Sequence, residues 1–549
     1  MKRFARLISL IITLALVFSM VSCNSTKETT DKTPKNTEPL SFTATLNSWG
    51  GDDANSMVQK EWLKQMETKM GRKINIKFNY IPSSGYDEKV KLMISSNTLT
   101  DFVQLPSFWD YAPSAKQGLF LELSQYKNLM PNYLKWVNQA YDGKINAYMD
   151  DGKMYIFNEV GLPRFPADKG IDPNNVSSYR YDVFQKNNIK VPTTLDEVYS
   201  AGKQLKQLYP DKYPINLRFN NLNSLFYANH VTNDIYWDGE KYVFGLFQDG
   251  YKEALQFANK LYSERLLDPE YTIETNDTIK KKALNGDNFM WLNEWFTSPG
   301  DYTRNAGDGK IFAITLYPDN PKYGKAWQSI QDVNTVSLNI GWDGFVINPK
   351  TKDPEGLIKF CDLQYSEDII RLITWGIEGT TYTIGSDGKP HFVDSIKKAA
   401  DPWAEGDKYG IRASSKHRPG LQMAADSAAY VDFAPNDYIV VDNQLKEEPI
   451  EKSSFFLNIP FPKSEYTPPF FRGPSLQFTQ DESQQISTIM TPIYTYRDEM
   501  QSKFVKGDES FDKWGAYQDK LKKMGDIDKV LKIYNDAAKR YNDKKAASK

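Results

Sequence analysis

Cysteine and histidine are scarce in this chain of 549 residues, which has two cysteines and three histidines. Two cysteines cannot build a disulfide framework. His230, His391 and His417 stand in unrelated contexts, without the spacing of zinc ligands. They also lack the partners of a Ser-His-Asp arrangement. The sequence therefore argues against a disulfide scaffold, a zinc site and a nucleophilic hydrolase.

Nucleotide-binding signatures and an excess of basic charge are also missing. No G-x-x-x-x-G-K-[ST] segment occurs, and no G-x-G-x-x-G segment follows a predicted strand. The chain has 68 Lys and Arg against 70 Asp and Glu, a formal net charge of −2. Nothing in this balance favours nucleic acid as a partner. We predict no cofactor, no metal and no catalytic residue.

A long apolar run occurs only at the N-terminus. Lys2, Arg3 and Arg6 precede the uncharged run 7–21, and Cys23 follows a small residue. The run is too short to span a bilayer comfortably, which takes about 20 residues. The segment resembles a bacterial lipobox, which implies that residues 1–22 are a lipoprotein signal peptide and that Cys23 is lipidated. An ordinary cleaved signal with a chance cysteine is the alternative.

Residues 24–39 contain no aromatic or large apolar side chain. Such a composition cannot bury a core, so we predict a disordered tether over 23–39 that begins at the lipidated cysteine. Attachment to the membrane would then be through lipid alone, on the extracellular face.

Strand and helix patterns alternate from residue 40 onward, which predicts parallel pairing and an α/β fold. The first region comprises strands at 42–49, 73–80 and 101–105, with helices at 54–70 and 86–95. A second region comprises helices at 194–208, 248–264 and 275–283 and strands at 288–291 and 344–348.

Local signals fix several helix ends. Capping-box patterns open helices at Thr194 and Thr479, and the Asp353-Pro354 pair opens another. The C-terminal helix ends at Gly507, and Pro492 is predicted to kink or split it.

Aromatic residues are abundant, at 14% of the chain with 12 Trp and 33 Tyr. Aromatic faces suit the weakly polar C–H faces of sugar rings, so this content favours a carbohydrate partner. Trp62, Trp136 and Trp514 have helical spacing with apolar neighbours and are predicted to be core. Ligands bind beyond the carboxyl ends of strands in open α/β sheets. The residues near predicted strand ends therefore form our candidate ligand site: Trp49, Trp109, Trp291, Asn293, Glu294, Trp295, Trp342 and Asp343. In this site the tryptophans would stack on sugar rings, and Glu294 and Asp343 would accept hydroxyl protons.

Several segments resemble one family along nearly the whole chain after residue 23. They are 180–182 with 190–197, 251–255, 261–270, 375–383, and the terminal set 503–507, Trp514, Tyr517, Leu521, 524–525 and 534–541. They are similar to the extracellular solute-binding lipoproteins of carbohydrate ABC importers, solute-binding protein family 1, in its LipO-like or YtcQ-like branch. The resemblance implies a two-lobed, periplasmic-binding-protein-like (type II) fold, in which each lobe is a mixed sheet flanked by helices, with hinge crossings and a helical C-terminus. The approximate lobe boundaries are 40–160 with 345–430 for the first lobe, and 161–344 with 431–549 for the second.

The resemblance also implies a monomer that holds an oligosaccharide between the lobes and presents it to permease subunits of an importer. Some relatives carry a calcium loop after the helix that begins at Thr194, but residues 209–214 lack enough oxygen ligands, so we predict no calcium there. Three alternatives stay open. One is a surface glycosidase or polysaccharide lyase, another is a peptide-binding lipoprotein, and the third is a receptor that addresses a membrane sensor kinase.

Overall fold

The computed structural model describes most of the chain after residue 37. The described residues are 38–48, 55–106, 108–140, 142–149, 151–163, 173–218, 221–307, 309–330, 336–339, 344–399, 401–411, 420–421, 423–433, 436–449 and 465–547. The predicted signal peptide, Cys23 and almost all of the predicted tether lie outside them. Among the described residues, no helix combines the length and the apolar character needed to cross a bilayer.

The strands, in chain order, are β1 (Leu40–Ser48), β2 (Ile74–Pro82), β3 (Phe102–Leu105), β4 (Glu159–Leu162), β5 (Pro173–Arg180), β6 (Ile215–Asn216), β7 (Ile235–Trp237), β8 (Tyr242–Phe244), β9 (Met290–Trp295), β10 (Phe312–Thr315), β11 (Ser329–Ile330), β12 (Ser337–Asn339), β13 (Gly344–Ile347), β14 (Tyr382–Ile384), β15 (Pro390–Phe392), β16 (Ala424–Asp426), β17 (Asn436–Val441) and β18 (Gln444–Pro449).

The α-helices are α1 (Met57–Met70), α2 (Tyr86–Ser95), α3 (Phe108–Lys116), α4 (Pro131–Gln139), α5 (Gly143–Ala147), α6 (Tyr181–Lys186), α7 (Leu195–Leu208), α8 (Asn223–Ala228), α9 (Asp249–Ser263), α10 (Asn276–Asn285), α11 (Ser298–Ala306), α12 (Pro354–Leu363), α13 (Glu367–Trp375), α14 (Asp394–Lys397), α15 (Pro402–Asp407), α16 (Ala428–Phe433), α17 (Gln480–Lys506), α18 (Trp514–Met524) and α19 (Ile527–Ala547). Short 3-10 helices cover Ser83–Gly85, Leu123–Leu129, Gly245–Phe247, Pro469–Arg472 and Phe511–Lys513.

The first sheet has the order β13-β3-β1-β2. β1 pairs in parallel with β2 and β3, as the alternating pattern predicts, while β13 is antiparallel to β3. Its main hydrophobic core, the first core, takes its buried residues from 40–160 and 338–429. Trp62 of α1 is fully buried there and donates to Gln364 at 2.9 Å. Cys361 of α12 is also buried in this core, and burial raises the pKa of its thiol.

The second sheet has the order β18-β17-β10-β5-β9-β6, with β11 also paired to β5. Its main core, the second core, takes its buried residues from 179–327, from 490–530 and from Val440. The C-terminal helices α17 and α18 therefore complete the second core.

A third sheet, β12-β4-β16, lies where the chain passes between the first two sheets. β4 leads from the first sheet toward β5, β12 leads back toward β13, and β16 leads toward β17. β4 pairs antiparallel with β12 and in parallel with β16. The crossing at β4 is thus hydrogen-bonded to each of the other two.

The last helix, α19, joins the two cores a second time. Ile527 and Val530 at its start are buried in the second core. Near its end, Lys545 forms an ion pair with Asp142 at 3.0 Å, and the Tyr541 hydroxyl also donates to Asp142. Asp142 precedes α5, which packs against β12 of the third sheet.

The predicted helix ends are largely confirmed. Thr479 and Glu482 form a full capping box, and Asp353 caps α12 with Pro at its first turn. Thr194 accepts from the Glu197 N–H, but the Glu197 carboxylate accepts from Thr193 instead of the cap residue. α17 ends at Gly507 with a positive φ of 81°. Of the two outcomes predicted at Pro492, a kink or a split, the split does not occur, since α17 runs unbroken from Gln480 to Lys506.

Candidate ligand-binding edge

The carboxyl ends of several strands meet at one edge of the second sheet. β9 is parallel to β6, β10 is parallel to β17, and β5 runs antiparallel between β9 and β10. The carboxyl ends of β6, β9, β10 and β17 therefore share an edge with the start of β5. We call this edge the carboxyl edge, the place where open α/β sheets bind their ligands.

Trp295 ends β9 at the carboxyl edge and is 38% exposed. Its ring packs against Phe296, with centroids 5.2 Å apart. Across the sheet it pairs with Asn175 of β5, and Asn175 pairs in turn with Ser329 of β11. An indole that keeps one side packed and another exposed can offer a stacking face together with nearby amide and hydroxyl groups.

Glu294 lies immediately before Trp295 but is fully buried. Its Oε1 forms an ion pair with Arg218 at 2.8 Å and accepts the Trp295 backbone N–H at 2.8 Å. Its Oε2 accepts from the Tyr302 hydroxyl at 3.1 Å. Burial raises the pKa of Glu294, while the Arg218 charge and the donated hydrogen bonds oppose that rise.

The side chains of Asn293 and Trp291 are buried as well. The Asn293 side-chain oxygen accepts from the Tyr317 hydroxyl. Trp291 is fully buried, with its ring centroid 5.5 Å from that of Phe312 and 6.4 Å from that of Tyr302. The sequence prediction makes Trp291 a stacking residue and Glu294 a hydroxyl acceptor. The structure instead buries both side chains beneath the carboxyl edge. Trp291 packs there against Phe312 and Tyr302, and Glu294 is bound by Arg218 and Tyr302.

A register shift in the pairing of β5 and β9 explains the positions of these residues. Between the pairs Val176–Glu294 and Ser178–Trp291, β5 advances two residues and β9 advances three. An extra residue of this kind breaks the alternation of side chains along a strand. As a result Leu292 and Asn293 both contact the second core, and Glu294 joins Tyr302 on the Trp291 side.

The remaining candidates belong to the first sheet. Trp109 is the second residue of α3, the helix that follows β3. Only the backbone of Trp109 is described. Trp49, Trp342 and Asp343 lie outside the described residues. The neighbouring described residues are Ser48, the last residue of β1, and Gly344, which pairs with Leu105 at the end of β3. The described strand ends beside these candidates thus share the carboxyl edge of the first sheet.

Sequence reasoning did not find Arg218, Tyr302 or Tyr317. Arg218 follows β6, which has only two residues, and such a short strand gives no periodic signal. Tyr302 and Tyr317 come after β9 and β10, and their roles depend on which neighbouring strands the sheet brings together. The rule that ligand sites follow strand ends could have drawn attention to all three.

Lysines hold the turn at residues 209–214. The Lys206 ammonium donates to the Lys212 carbonyl at 2.8 Å, and Lys212 forms an ion pair with Asp287 at 2.6 Å. Across the described part of the chain, no group of three or more His, Cys, Asp and Glu side chains is arranged to hold a metal ion.

Comparison with known proteins gives matches of three kinds. A family profile described as "Bacterial extracellular solute-binding protein" matches residues 61–361, more than half of the chain. The polygalacturonan/rhamnogalacturonan-binding protein YtcQ of Bacillus subtilis (strain 168) is 22% identical over 348 residues, covering 59% of this chain. That alignment covers 64% of the relative, which is less than two thirds of its length.

Solved structures match along almost the whole described chain. The alginate-binding protein AlgQ2 without calcium ion has a TM-score of 0.68 and 19% identity, covering 92% of this chain and 99% of the other. The Streptococcus pneumoniae substrate-binding protein FusA in complex with kestose has a TM-score of 0.69 and 17% identity, covering 92% of this chain and 100% of the other. At this identity the likeness shows the fold, which is the two-lobed, periplasmic-binding-protein-like α/β fold predicted from the sequence.

Proposed function

Because the chain belongs to the family of bacterial extracellular solute-binding proteins, we propose that it captures an oligosaccharide between its lobes and delivers it to an ABC-type importer. The observation that carries the proposal is the exposed indole of Trp295 at the carboxyl edge of the second sheet. An aromatic face at this place is suited to stacking on a sugar ring, and neighbouring polar groups can pair with its hydroxyls.

The similar proteins support glycan as the class of ligand. One is described as binding polygalacturonan and rhamnogalacturonan, one as binding alginate, and one holds kestose. Their ligands include both acidic and neutral sugars, so the proposal for this chain is the class of oligosaccharides. Binding without catalysis agrees with the family's description as binding proteins.

We propose that residues of both lobes form the ligand site. Trp295 stacks from the second lobe, while Trp49, Trp109, Trp342 and Asp343 contribute from the first lobe. Asn293, Glu294 and Trp291 act from beneath Trp295 without touching the glycan. Two-lobed receptors gain affinity from contacts that are completed when the lobes close, so both sides contribute to the binding energy.

We further propose that the mature protein is a monomer, held on the extracellular face of the membrane by lipid on Cys23 and joined to it by the tether 23–39. The lobes are proposed to be 40–160 with 345–430, and 161–344 with 431–549. Mass spectrometry of the membrane-extracted protein tests the anchor. Acyl groups on an N-terminal Cys23 are expected, and an unmodified cysteine would contradict it.

Calorimetry of the purified protein with trigalacturonate, an alginate trisaccharide, kestose and a mixed peptide pool tests the ligand class. We expect saturable binding of at least one glycan. We expect Trp295→Ala to weaken it by about 1–3 kcal/mol, the range of a buried aromatic anchor. Trp237→Ala is the matched control, because Trp237 packs on Tyr242 in the hairpin that contacts α19.

Two outcomes would replace the proposal. Binding of peptides but of no glycan would indicate a peptide receptor. Release of shorter products from a polysaccharide would indicate a glycosidase or a lyase.

A further inference from the structure

Arg218 links three elements at the carboxyl edge. It follows β6, the edge strand of the second sheet, and its side chain is mostly buried. One guanidinium nitrogen pairs with Glu294 of β9 at 2.8 Å, and another donates to the Asn276 side chain at the start of α10. A planar guanidinium with fixed donor directions is suited to holding two acceptors at once.

Glu294 connects Arg218 to the backbone of Trp295. The oxygen that pairs with Arg218 also accepts the Trp295 backbone N–H at 2.8 Å, so one atom joins the cation to the peptide group of Trp295. The other oxygen accepts from Tyr302 of α11 at 3.1 Å. The Glu294 carboxylate, held by Arg218 and Tyr302, therefore restricts the peptide group from which the exposed indole projects.

We propose that Arg218 is a positioning residue, which acts through Glu294 to fix the backbone of Trp295 and so the direction of its indole. This inference rests on the proposed role of Trp295 in glycan binding. A stacking ring must keep its plane and its distance from the sugar, so a loose backbone at Trp295 loses contact with the ligand even when the ring itself is intact.

Because Glu294 can take up a proton, its ion pair with Arg218 makes the anchoring of the Trp295 backbone depend on pH. The groups that face the Glu294 carboxylate are Arg218 from the segment after β6, the Trp295 N–H from β9, and Tyr302 and Ser298 from α11. As the pH falls through the raised pKa of Glu294, the carboxylate takes up a proton and loses its ion pair. Removing the Arg218 charge raises that pKa further, so the loss begins at a higher pH.

Fluorine NMR of protein labelled with 5-fluorotryptophan tests the proposal without any ligand. The Trp295 signal is assigned by its disappearance in Trp295→Phe. We expect it to titrate in the wild type, to titrate at higher pH and to broaden in Arg218→Met, and to return toward the wild-type midpoint in Arg218→Lys. Glu294→Gln should remove the titration altogether, and it keeps the test decisive if Arg218→Met does not fold.

Arg304→Met is the matched control. Arg304 of α11 pairs with the buried Asp437 at 2.9 Å, in the same sheet but at the start of β17, which is the opposite edge. This variant should lower stability and leave the Trp295 signal and its midpoint unchanged. An unchanged Trp295 signal in Arg218→Met, or an equal change in Arg304→Met, would overturn the proposal.

Calorimetry then measures the effect on affinity, with whichever of trigalacturonate, the alginate trisaccharide or kestose binds the wild type. We expect Arg218→Met to weaken its affinity about tenfold, Arg218→Lys to restore part of the loss, and Arg304→Met to have no effect. If none of the three glycans binds, the proposed function fails, while the fluorine signal still decides whether Arg218 positions Trp295. Equal affinities in Arg218→Met and wild type would show that the positioning does not serve binding.

Discussion

Two buried carboxylates, each paired with an arginine, lie at opposite edges of the second sheet. Glu294 is at the carboxyl edge with Arg218, and Asp437 is at the other edge with Arg304 of α11. Burial raises the pKa of both carboxyl groups, because it disfavours their charged forms. Of the two, only Glu294 also binds the backbone of an exposed aromatic residue, so the proposed positioning role belongs to its pair, and the pair of Asp437 and Arg304 is expected to be structural.

Asp437 should make the stability of the protein depend on pH. Burial raises its pKa to about 6, and Arg304 partly opposes the rise. The folded state therefore keeps a proton that the unfolded state has released, so this contribution is full below about pH 4 and is lost as the pH rises toward about 6. The loss corresponds to about 3 kcal/mol.

Denaturant unfolding at a series of pH values checks this expectation. The difference in unfolding free energy between wild type and Asp437→Asn should change between about pH 4 and pH 6, because the amide cannot titrate. A constant difference over that interval would contradict the assignment.

Individual tryptophans show how far the sequence predicts the site. Helical spacing identifies Trp62, Trp136 and Trp514 correctly as buried. Position near a strand end selects both Trp291 and Trp295, but only Trp295 is exposed. The difference arises from the register shift between β5 and β9 and from the packing of α11, neither of which leaves a local signal in the sequence.

Elements with strong local signals are predicted closely, whereas short strands are not. α2 (Tyr86–Ser95) has its predicted bounds, and α7, α9 and α12 begin within a residue or two of theirs. β6, β11, β12 and β16 each have only two or three residues, too few for periodicity to show. These short strands depend on tertiary pairing, and they include two of the three crossings between the sheets.

Pro492 shows that a helix can continue unbroken through a proline when its neighbours are packed in a core. It lies exposed within α17, which remains continuous because Met490, Ile493 and Met500 are buried in the second core. A proline in a helix interior removes a backbone hydrogen bond and costs about 3 kcal/mol relative to alanine.

Pro492→Ala should therefore stabilise the protein. The gain is about 2 kcal/mol, after the greater freedom of the unfolded chain is subtracted. Thermal and denaturant unfolding measure it, with Thr491→Ala at the neighbouring exposed position as the control. A loss of stability would mean that α17 depends on the proline in a way that its exposure does not suggest.

At the scale of the whole molecule, the two cores are joined in two places. One is the third sheet, in which β12 and β16 both pair with the central strand β4. The other is the end of α19, where Tyr541 and Lys545 both contact Asp142. Because Asp142 precedes α5 and α5 packs on β12, the second connection lies beside the third sheet. Opening between the lobes would bend the third sheet, while the contacts of Tyr541 and Lys545 with Asp142 would keep α19 attached to the first lobe.

Lys545→Met should loosen this second connection. It leaves the Asp142 carboxylate, which is almost fully buried, without its cation, and the loss of one partner of a buried pair is costly. Hydrogen exchange followed by mass spectrometry should show several-fold faster exchange in the peptide 142–149. Lys532→Met is the control, because Lys532 pairs with Asp536 on the exposed face of the same helix. Unchanged exchange in 142–149 would show that α19 merely lies against the first lobe.

The crossings of the third sheet also govern how the chain can be assembled. The first core needs residues 338–429 to cover strands made from residues 40–105, and the second core needs residues 490–530 to cover strands that begin at Pro173. The first core cannot close until the chain has been made as far as residue 429, and the second cannot close until the C-terminal helices have been added. The nascent polypeptide must therefore carry its apolar strands uncovered for most of its synthesis, which exposes it to aggregation and proteolysis. A product terminated before residue 338 would lack the closing residues of both cores, whereas one terminated between residues 429 and 490 would lack only those of the second.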